Sequence, residues 1–130
     1  MATIAIYDET TLGEKLHISI LTLTVDRITV RELIQQRVNQ EVVAHNENQS
    51  KYFQGLVQPT DSERSLNGYK LRNPRTIDLA QQIELAIEAF QCNGFILLIN
   101  DRQVEDLETE LVLDESSTIG FLKLIPLVGG

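Results

Sequence analysis

Two alternating apolar runs at the start of the chain constrain the fold most. Ile4 and Ile6 lie two residues apart in "ATIAIYDE", and "KLHISIL" resumes the alternation on one face at Leu16, Ile18 and Ile20. Alternation of this kind predicts half-buried strands. The turn residue Gly13 lies between the runs, so we predict a β-hairpin. The alternation changes phase at Leu21 and Leu23, which indicates a bulge or the end of the strand.

A helix is predicted after the hairpin, in "DRITVRELIQQRVNQEVVAHN". Thr29 lies three residues before Glu32, which is the spacing of a capping box at a helix N-terminus. Apolar residues recur with a helical period along the segment, at Val30, Leu33, Ile34, Val38 and Val42. Because such a helix can cross one face of a sheet, the pattern predicts an α+β two-layer sandwich.

The middle of the chain, from about residue 45 to residue 75, loses this periodicity. It contains turn-forming stretches such as "QPTDSERS" and "RNPR", and between them "YFQGLV" and "GYKL" are long enough for short strands. About 30 residues without structure would be unusual inside a compact domain. We therefore predict an ordered insertion, such as a small hairpin.

A second helix is predicted after the insertion, in "TIDLAQQIELAIEAFQCNG". Pro74 suits the first turn of this helix, and Asn93 followed by Gly94 suits its end. The predicted apolar stripe consists of Ile77, Ala80, Ile83, Ile87 and Phe90, with Leu79 and Ala86 beside it.

Apolar strands are predicted again near the C-terminus. "FILLIND" reads as a buried strand that ends in the turn "NDRQ", and "VEDLETELVLDESS" reads as a short element and an acidic loop. In "TIGFLKLIP" one face carries Ile119, Phe121 and Lys123, and the other carries Leu122 and Leu124. Apolar residues on both faces indicate either a central strand covered on both sides or a partner-binding patch at Leu122.

The acidic composition limits the classes of function. The formal net charge of the 130 residues is −8, which argues against binding to nucleic acid or to an anionic membrane. The sequence shows no signal-peptide pattern and no apolar run near the roughly 20 residues of a membrane span. We therefore expect a cytoplasmic protein. Cys92 is the only cysteine, so an internal disulfide is excluded.

Catalytic residues have little support in the sequence. His17 and His45 show no spacing to Cys92 or to a serine that is typical of nucleophilic catalysis, and no glycine-rich phosphate loop is present. Surface or boundary histidines, a buried or half-buried free thiol and a solvated acidic loop explain these residues better than an active site. We expect that the chain is not an enzyme and that it holds no metal or cofactor.

The last ten residues, "FLKLIPLVGG", contain the strongest functional signal. Pro126 cannot donate a ladder hydrogen bond, so we expect the strand to stop there. Gly129 and Gly130 lack side chains, so we predict a narrow, flexible tail over residues 126–130. A carboxylate on such a tip can pass through a slot that admits no Cβ and reach an active site in another protein. The alternative is a frayed end with incidental glycines.

The segment "ILLINDRQVEDLETELVLDESSTIGFLKLIPLVGG" resembles the last part of ubiquitin and of ubiquitin-like β-grasp proteins. It has the same order of an apolar strand, a polar turn, a "QVED" step, an acidic loop, "STI" at the start of the last strand, and a diglycine. "IPLVGG" and "LIND" also resemble the small sulfur carriers of molybdopterin and thiamine synthesis, and "ITVRELI" resembles the start of their helix. The resemblance covers residues 95–130 well and residues 1–44 in pattern only, whereas residues 45–94 depart from both relatives.

The resemblance implies a single ubiquitin-like β-grasp domain over residues 1–130, with the insertion at about 45–75 and a second helix. It implies that a ThiF-type activating enzyme uses ATP to adenylate the C-terminal carboxylate of Gly130. Gly129, the residue before it, also lacks a side chain. The same enzyme would grip the tail at Leu124, Pro126, Leu127 and Val128.

The family has branches that imply different partners. In protein modifiers a partner cysteine takes the tail as a thioester and passes it to a target lysine as an isopeptide bond, which implies a conjugating enzyme, a deconjugating protease and a target protein. In sulfur carriers the tip becomes a thiocarboxylate, and a β-grasp adaptor without conjugation is a third alternative. Sulfur carriers are shorter and lack the insertion, so a protein modifier is our leading hypothesis.

Overall fold

The computed structural model describes residues 2–10, 15–23, 26–48, 52–53, 55–65, 68–72 and 76–123. Within them the chain forms ten strands and two helices: β1 (Ala2–Thr10), β2 (Lys15–Leu23), β3 (Arg27–Thr29), α1 (Val30–Asn48), β4 (Tyr52–Phe53), β5 (Ser62–Ser65), β6 (Gly68–Leu71), α2 (Leu79–Gln91), β7 (Phe95–Ile99), β8 (Arg102–Val104), β9 (Glu110–Val112) and β10 (Ile119–Lys123). The protein is therefore of the α+β class, and its five-stranded sheet is mixed. Its contacts divide the chain into two compact units, residues 1–32 with 90–130 and residues 33–89.

The first unit contains a five-stranded mixed sheet in the order β2-β1-β10-β7-β8. Strand β1 pairs antiparallel with β2, which confirms the predicted hairpin, and parallel with β10. Strand β10 pairs antiparallel with β7, so it lies at the centre of the sheet. The register shift in the hairpin lies between Asp8 and Glu9, and β2 ends at Leu23.

One face of this sheet forms the apolar core of the first unit. The buried side chains on it are Ile4, Ile6, Leu21, Leu23, Phe95, Leu97, Ile99, Ile119 and Phe121. The ring of Phe95 lies 5.8 Å from that of Phe90 and 6.0 Å from that of Phe121, centroid to centroid. The opposite face is more open, and Ile20 on β2 is 57% exposed.

The turn between β7 and β8 has two residues in the left-handed region, Asn100 at φ 50° and Asp101 at φ 65°. Two successive positive φ values are what a two-residue type I′ hairpin turn requires, and Asn and Asp tolerate them better than most residues. The predicted turn at "NDRQ" is therefore confirmed, and it places β8 on the edge of the sheet.

The start of α1 is fixed by the capping box that the sequence predicts. The backbone N–H of Glu32 donates to Thr29 Oγ1 at 3.2 Å, and the backbone N–H of Thr29 donates to Glu32 Oε1 at 3.3 Å. Two further N–H groups of the first turn, those of Val30 and Arg31, donate to the carbonyl oxygens of Thr109 and Leu107. The helix therefore begins with its free donors satisfied.

The second unit contains a three-stranded antiparallel sheet in the order β4-β6-β5. The described residues of the predicted insertion are thus ordered, and their sheet is larger than a hairpin. Strands β4 and β6 fall in the predicted "YFQGLV" and "GYKL". Strand β5 falls in the turn-like "QPTDSERS", where its polar sequence gave no strand signal.

The predicted apolar stripe of α2 needs correction. Ala80 is exposed and Ile83 and Ile87 are only half-buried, whereas the buried residues of the helix are Gln82, Ala86 and Phe90. The helix therefore turns a different face inward, and there the Gln82 side-chain amide donates to the carbonyl oxygen of Val57 at 2.8 Å.

Helix α2 has a cap at each end. The Asp78 side chain caps the N-terminus by accepting from the N–H of Ala80 at 3.0 Å, and the helix begins at Leu79. Pro74, which we predicted for the first turn, lies outside the described residues. At the other end Asn93 has φ 59°, and its N–H donates to the carbonyl oxygen of Phe90, as expected of a C-terminal stop.

Candidate functional site

Strand β10 is the structural base of the predicted functional tail. Ile119 pairs with Ile6 on β1 and with Ile99 on β7, so hydrogen-bonded strands flank β10 on both sides. Ile119 and Phe121 are fully buried on the core face, as their shared phase predicts. The strand that precedes the tail is therefore held at the centre of a packed sheet.

The tail itself lies outside the described residues. This applies to the predicted attachment residue Gly130 and its neighbour Gly129, and to the predicted grip residues Leu124, Pro126, Leu127 and Val128. The predicted flexible tail, residues 126–130, also lies outside the described residues. The predictions for these residues stay predictions.

Lys123 is the last residue that the structure describes. Its Nζ lies 3.7 Å from Oδ2 of Asp8, and the side chain of Asp8 is buried. This contact joins the end of β10 to β1, its parallel neighbour. Lys123 was predicted to share a face of the strand with Ile119 and Phe121, which is the core-facing side of the sheet. Asp8, which pairs with Phe121 across the two strands, lies on the same side.

The predicted partner residue Leu122 lies on the opposite face and is half-buried. It pairs with Ile96 on β7 and with Glu9 on β1, both of which are also half-buried. Leu122 is thus neither fully buried, as Phe121 is, nor fully exposed. Its role in binding a partner stays a prediction.

The same face of the sheet contains a small cleft that the sequence analysis missed. It has a volume of about 120 Å³ and is lined by Tyr7, Glu9, Leu98, Asp101, Thr118 and Gly120. Gly120 forms its floor, because it pairs with Tyr7 on one side and Leu98 on the other and has no side chain to fill the space between them. A glycine inside the apolar strand "TIGFLK" was the available signal.

The wall of the cleft is fixed by a pair of hydrogen bonds between its two loops. The backbone N–H of Thr118 donates to Asn100 Oδ1 at 2.9 Å, and the backbone N–H of Asn100 donates to the carbonyl oxygen of Thr118 at 2.9 Å. Asp101 follows Asn100 in the type I′ turn. Its position at the rim is therefore set by backbone geometry rather than by a flexible loop.

A separate polar network lies in the second unit. Arg37, which is 4% exposed, forms an ion pair with Glu41 one helical turn later, and Glu41 Oε2 accepts from the backbone N–H of Leu56 at 3.0 Å. Asn46 exchanges two hydrogen bonds with the backbone of Ile77, at 2.7 and 3.1 Å. Each buried polar group of this network has a partner, so the network explains the fold of the insertion without implying catalysis.

The candidate reactive residues are scattered. His45 is buried and packs edge-to-face on Phe53 with ring centroids 5.3 Å apart, so it is not the surface or boundary residue that we expected. Cys92 is exposed, which corrects the expectation of a buried or half-buried thiol. The part of the chain that the structure describes contains no cluster of three histidine, cysteine or acidic side chains suited to a metal ion.

The acidic loop before β10 has local order. Asp114 accepts hydrogen bonds from the Ser116 hydroxyl at 2.5 Å and from the Ser116 N–H at 2.8 Å. The hydroxyl bond from Ser116 is the main reason that the pKa of Asp114 lies below its ordinary value of 3.8, and bonds from Ser117 act in the same direction. These bonds shape the turn that leads into the central strand.

The fold and the cleft define an α+β protein with a mixed sheet and an acidic surface depression. No protein-family model, curated protein or solved structure matches the chain. Among the described residues, no helix combines the length and apolar character needed to cross a membrane.

Proposed function

We propose that the chain is a ubiquitin-like β-grasp protein modifier that is attached to targets through the carboxylate of Gly130. An activating enzyme adenylates Gly130, and the tail then passes through a thioester to an amine of a target protein. In this proposal the chain is a substrate and a handle, and the catalytic groups belong to its partners. The setting is cytoplasmic.

The observation that carries the proposal is the position of β10. This last described strand lies between β1 and β7, parallel to the first strand of the chain, and a hairpin and a capped helix precede it. A β-grasp sheet has the same arrangement, with its last strand central and parallel to its first. Such a strand gives residues 124–130 a fixed origin beside β1.

The proposed chemistry follows from the low reactivity of a carboxylate. A Gly130 carboxylate oxygen attacks the α-phosphorus of ATP and releases pyrophosphate, which yields an acyl adenylate. A cysteine thiolate of the partner then attacks the acyl carbon and releases AMP. Finally a lysine amine of the target attacks the thioester, so that an isopeptide bond forms and the thiol is released.

The residues of the tail have different roles in this scheme. Gly129 and Gly130 have no Cβ, so they can enter a narrow active-site slot. Leu124, Pro126, Leu127 and Val128 are the side chains that the activating enzyme would grip. Leu122, which is half-buried on the sheet face opposite the core, would add to the surface that contacts the partner.

Two alternatives use the same fold. In a sulfur carrier a sulfide would attack the acyl carbon of the adenylate and release AMP, so that the tip becomes a thiocarboxylate and does not join a lysine. In a non-conjugated adaptor the tip would stay a free carboxylate. The resemblance of "IPLVGG" and "LIND" to sulfur carriers is the feature that favours the first alternative.

Adduct formation in cells of the native source tests the proposal. An N-terminally tagged chain should give higher-mass covalent adducts that resist reducing agent, and a variant lacking Gly130 should give none. Equal adducts from the two chains would contradict the role of the Gly130 carboxylate. Adducts that disappear on reduction would contradict an isopeptide bond.

A further inference from the structure

The cleft on the open face of the sheet has the chemistry of a site for a basic side chain. Two carboxylates, those of Glu9 and Asp101, line it together with the Tyr7 side chain, the Thr118 residue and the apolar Leu98. Among the described residues no lysine or arginine forms an ion pair with either carboxylate. Glu9 is moreover half-buried, so part of its hydration is already lost.

The size of the cleft decides between classes of ligand. Its volume of about 120 Å³ is smaller than the roughly 150 Å³ cavity that holds one benzene molecule. Pockets for drug-sized ligands and cofactors measure roughly 300–1,000 Å³. The cleft therefore suits a single side chain presented by a larger partner rather than a nucleotide or a cofactor.

The charge of the cleft excludes other occupants of that size. A phosphate or carboxylate would meet two like charges, and the chain as a whole carries a net charge of −8. The described part of the chain contains no group of three histidine, cysteine or acidic side chains suited to a metal ion, and two carboxylates line the cleft. The lining therefore favours an organic cation over an anion or a metal ion.

We propose that this cleft binds an arginine side chain of a partner protein. The planar guanidinium has five N–H donors in a fixed fork, so it can donate to more than one acceptor of the lining, which a lysine ammonium cannot do with the same geometry. It also stacks on aromatic faces such as that of Tyr7. The half-buried Leu98 lies where the methylene stem of the arginine can pack.

Gly120 creates the space for this group. A Cβ at Gly120 would lie 3.6 Å from Leu98 Cβ and 3.8 Å from Glu9 Oε1, which are ordinary contact distances. An alanine therefore fits without disturbing the sheet, but it occupies the floor of the cleft. Gly120→Ala is thus a substitution that fills the site while it leaves the fold intact.

The site does not depend on the proposed modifier function. A chain that is never conjugated would still present the cleft, because none of the lining residues named above belongs to residues 124–130. Loss of adducts and loss of arginine binding are therefore separate outcomes.

Chemical-shift titration of the full ¹⁵N-labelled chain tests the proposal. The probes are N-acetyl-arginine-N-methylamide, its neutral citrulline analogue and its lysine analogue. We expect the arginine probe to give saturable shifts centred on the amides of Leu98, Asp101 and Gly120, with a Kd of about 1–10 mM. The citrulline probe should give no saturable shift, and the lysine probe should bind more weakly than arginine.

Variants separate the cleft from the general acidity of the surface. Glu9→Gln and Gly120→Ala should each raise the Kd about three- to ten-fold, whereas Glu115→Gln, which removes an exposed charge elsewhere, should change it less than about two-fold. Spectra of Gly120→Ala with native dispersion establish that this variant is folded. Absence of a saturable arginine shift, equal binding of citrulline or lysine, or equal weakening by Glu115→Gln would overturn the proposal.

Discussion

The carboxylate of Glu41 accepts a hydrogen bond from the backbone N–H of Leu56, with Oε2 and N 3.0 Å apart. The other oxygen of Glu41 pairs with Arg37, and the side chains of Glu41 and Arg37 are 12% and 4% exposed. One carboxylate therefore joins a buried arginine of α1 to the backbone of the insertion. The insertion is part of the folded structure of the second unit rather than a loose loop.

Glu41→Gln should destabilise the protein by about 2–4 kcal/mol, because it removes the carboxylate charge from a buried ion pair with Arg37. The free energy of unfolding from urea denaturation measures the change. The matched control is Glu110→Gln, which breaks the exposed pair with Arg27 and should cost no more than about 0.5 kcal/mol. Similar losses in the two variants would show that the Arg37 pair is not a buried one.

Gly55→Ala should destabilise by about 1–3 kcal/mol through overpacking. A Cβ at Gly55 would lie 2.0 Å from Cε2 of the buried Phe53 ring, and this ring also packs against His45. Gly120→Ala provides the comparison, since its nearest contact of 3.6 Å requires no movement. Thermal and urea unfolding of both variants should therefore differ, and equal stabilities would contradict the packing around Phe53.

Ser116→Ala should raise the pKa of Asp114 toward 3.8, because it removes the strongest of the bonds that hold the pKa down. The carboxyl ¹³C shift of Asp114 followed through an acid titration measures this pKa. Since the folded-state pKa is the depressed one, the stability that Asp114 contributes is complete above pH 3.8 and is lost as the pH falls through the folded-state value. An unchanged titration midpoint in Ser116→Ala would contradict this assignment.

Deleting Gly130 should abolish adducts with the activating enzyme and leave the unfolding free energy unchanged within about 0.5 kcal/mol, since the proposal gives Gly130 no role in the fold. Cys92→Ser is the control, because the exposed Cys92 thiol has no part in the proposed chemistry. Adduct yield and urea unfolding are measured on the same preparations. Loss of adducts in Cys92→Ser would show that the thiol of this chain takes part.

Patterns of a few residues in the sequence were enough to predict those structural elements that are determined by residues close together in the chain. The Thr29 and Glu32 capping box and the turn at Asn100 and Asp101 each arise from contacts within a few residues. The alternation in the hairpin predicted the strands, but it gave the wrong inward face for β2, because Ile20 is exposed and Leu21 and Leu23 are buried. The five apolar residues predicted to form the inward face of α1 are all buried, as expected for residues that recur with a helical period.

Long-range contacts decided the features that the sequence did not reveal. From its hydropathy, Gln82 would be expected on the surface. It is only 1% exposed, and its side-chain amide donates to the carbonyl oxygen of Val57, which is distant in sequence. Strand β5 is polar and is defined by pairing with β6. The cleft exists because Gly120 is paired between Tyr7 and Leu98, and that register cannot be read from any one segment.

Mass spectrometry of tryptic peptides from native cells detects the covalent linkage between the tail and target lysines. Trypsin cleaves after Lys123, so each modified lysine should carry "LIPLVGG" as a branched remnant in peptides from native cells. The account predicts this remnant on lysines of other proteins, and predicts that it disappears when Gly130 is deleted. Tail peptides found only as free carboxylates, or only with sulfur in place of oxygen at Gly130, would contradict the account.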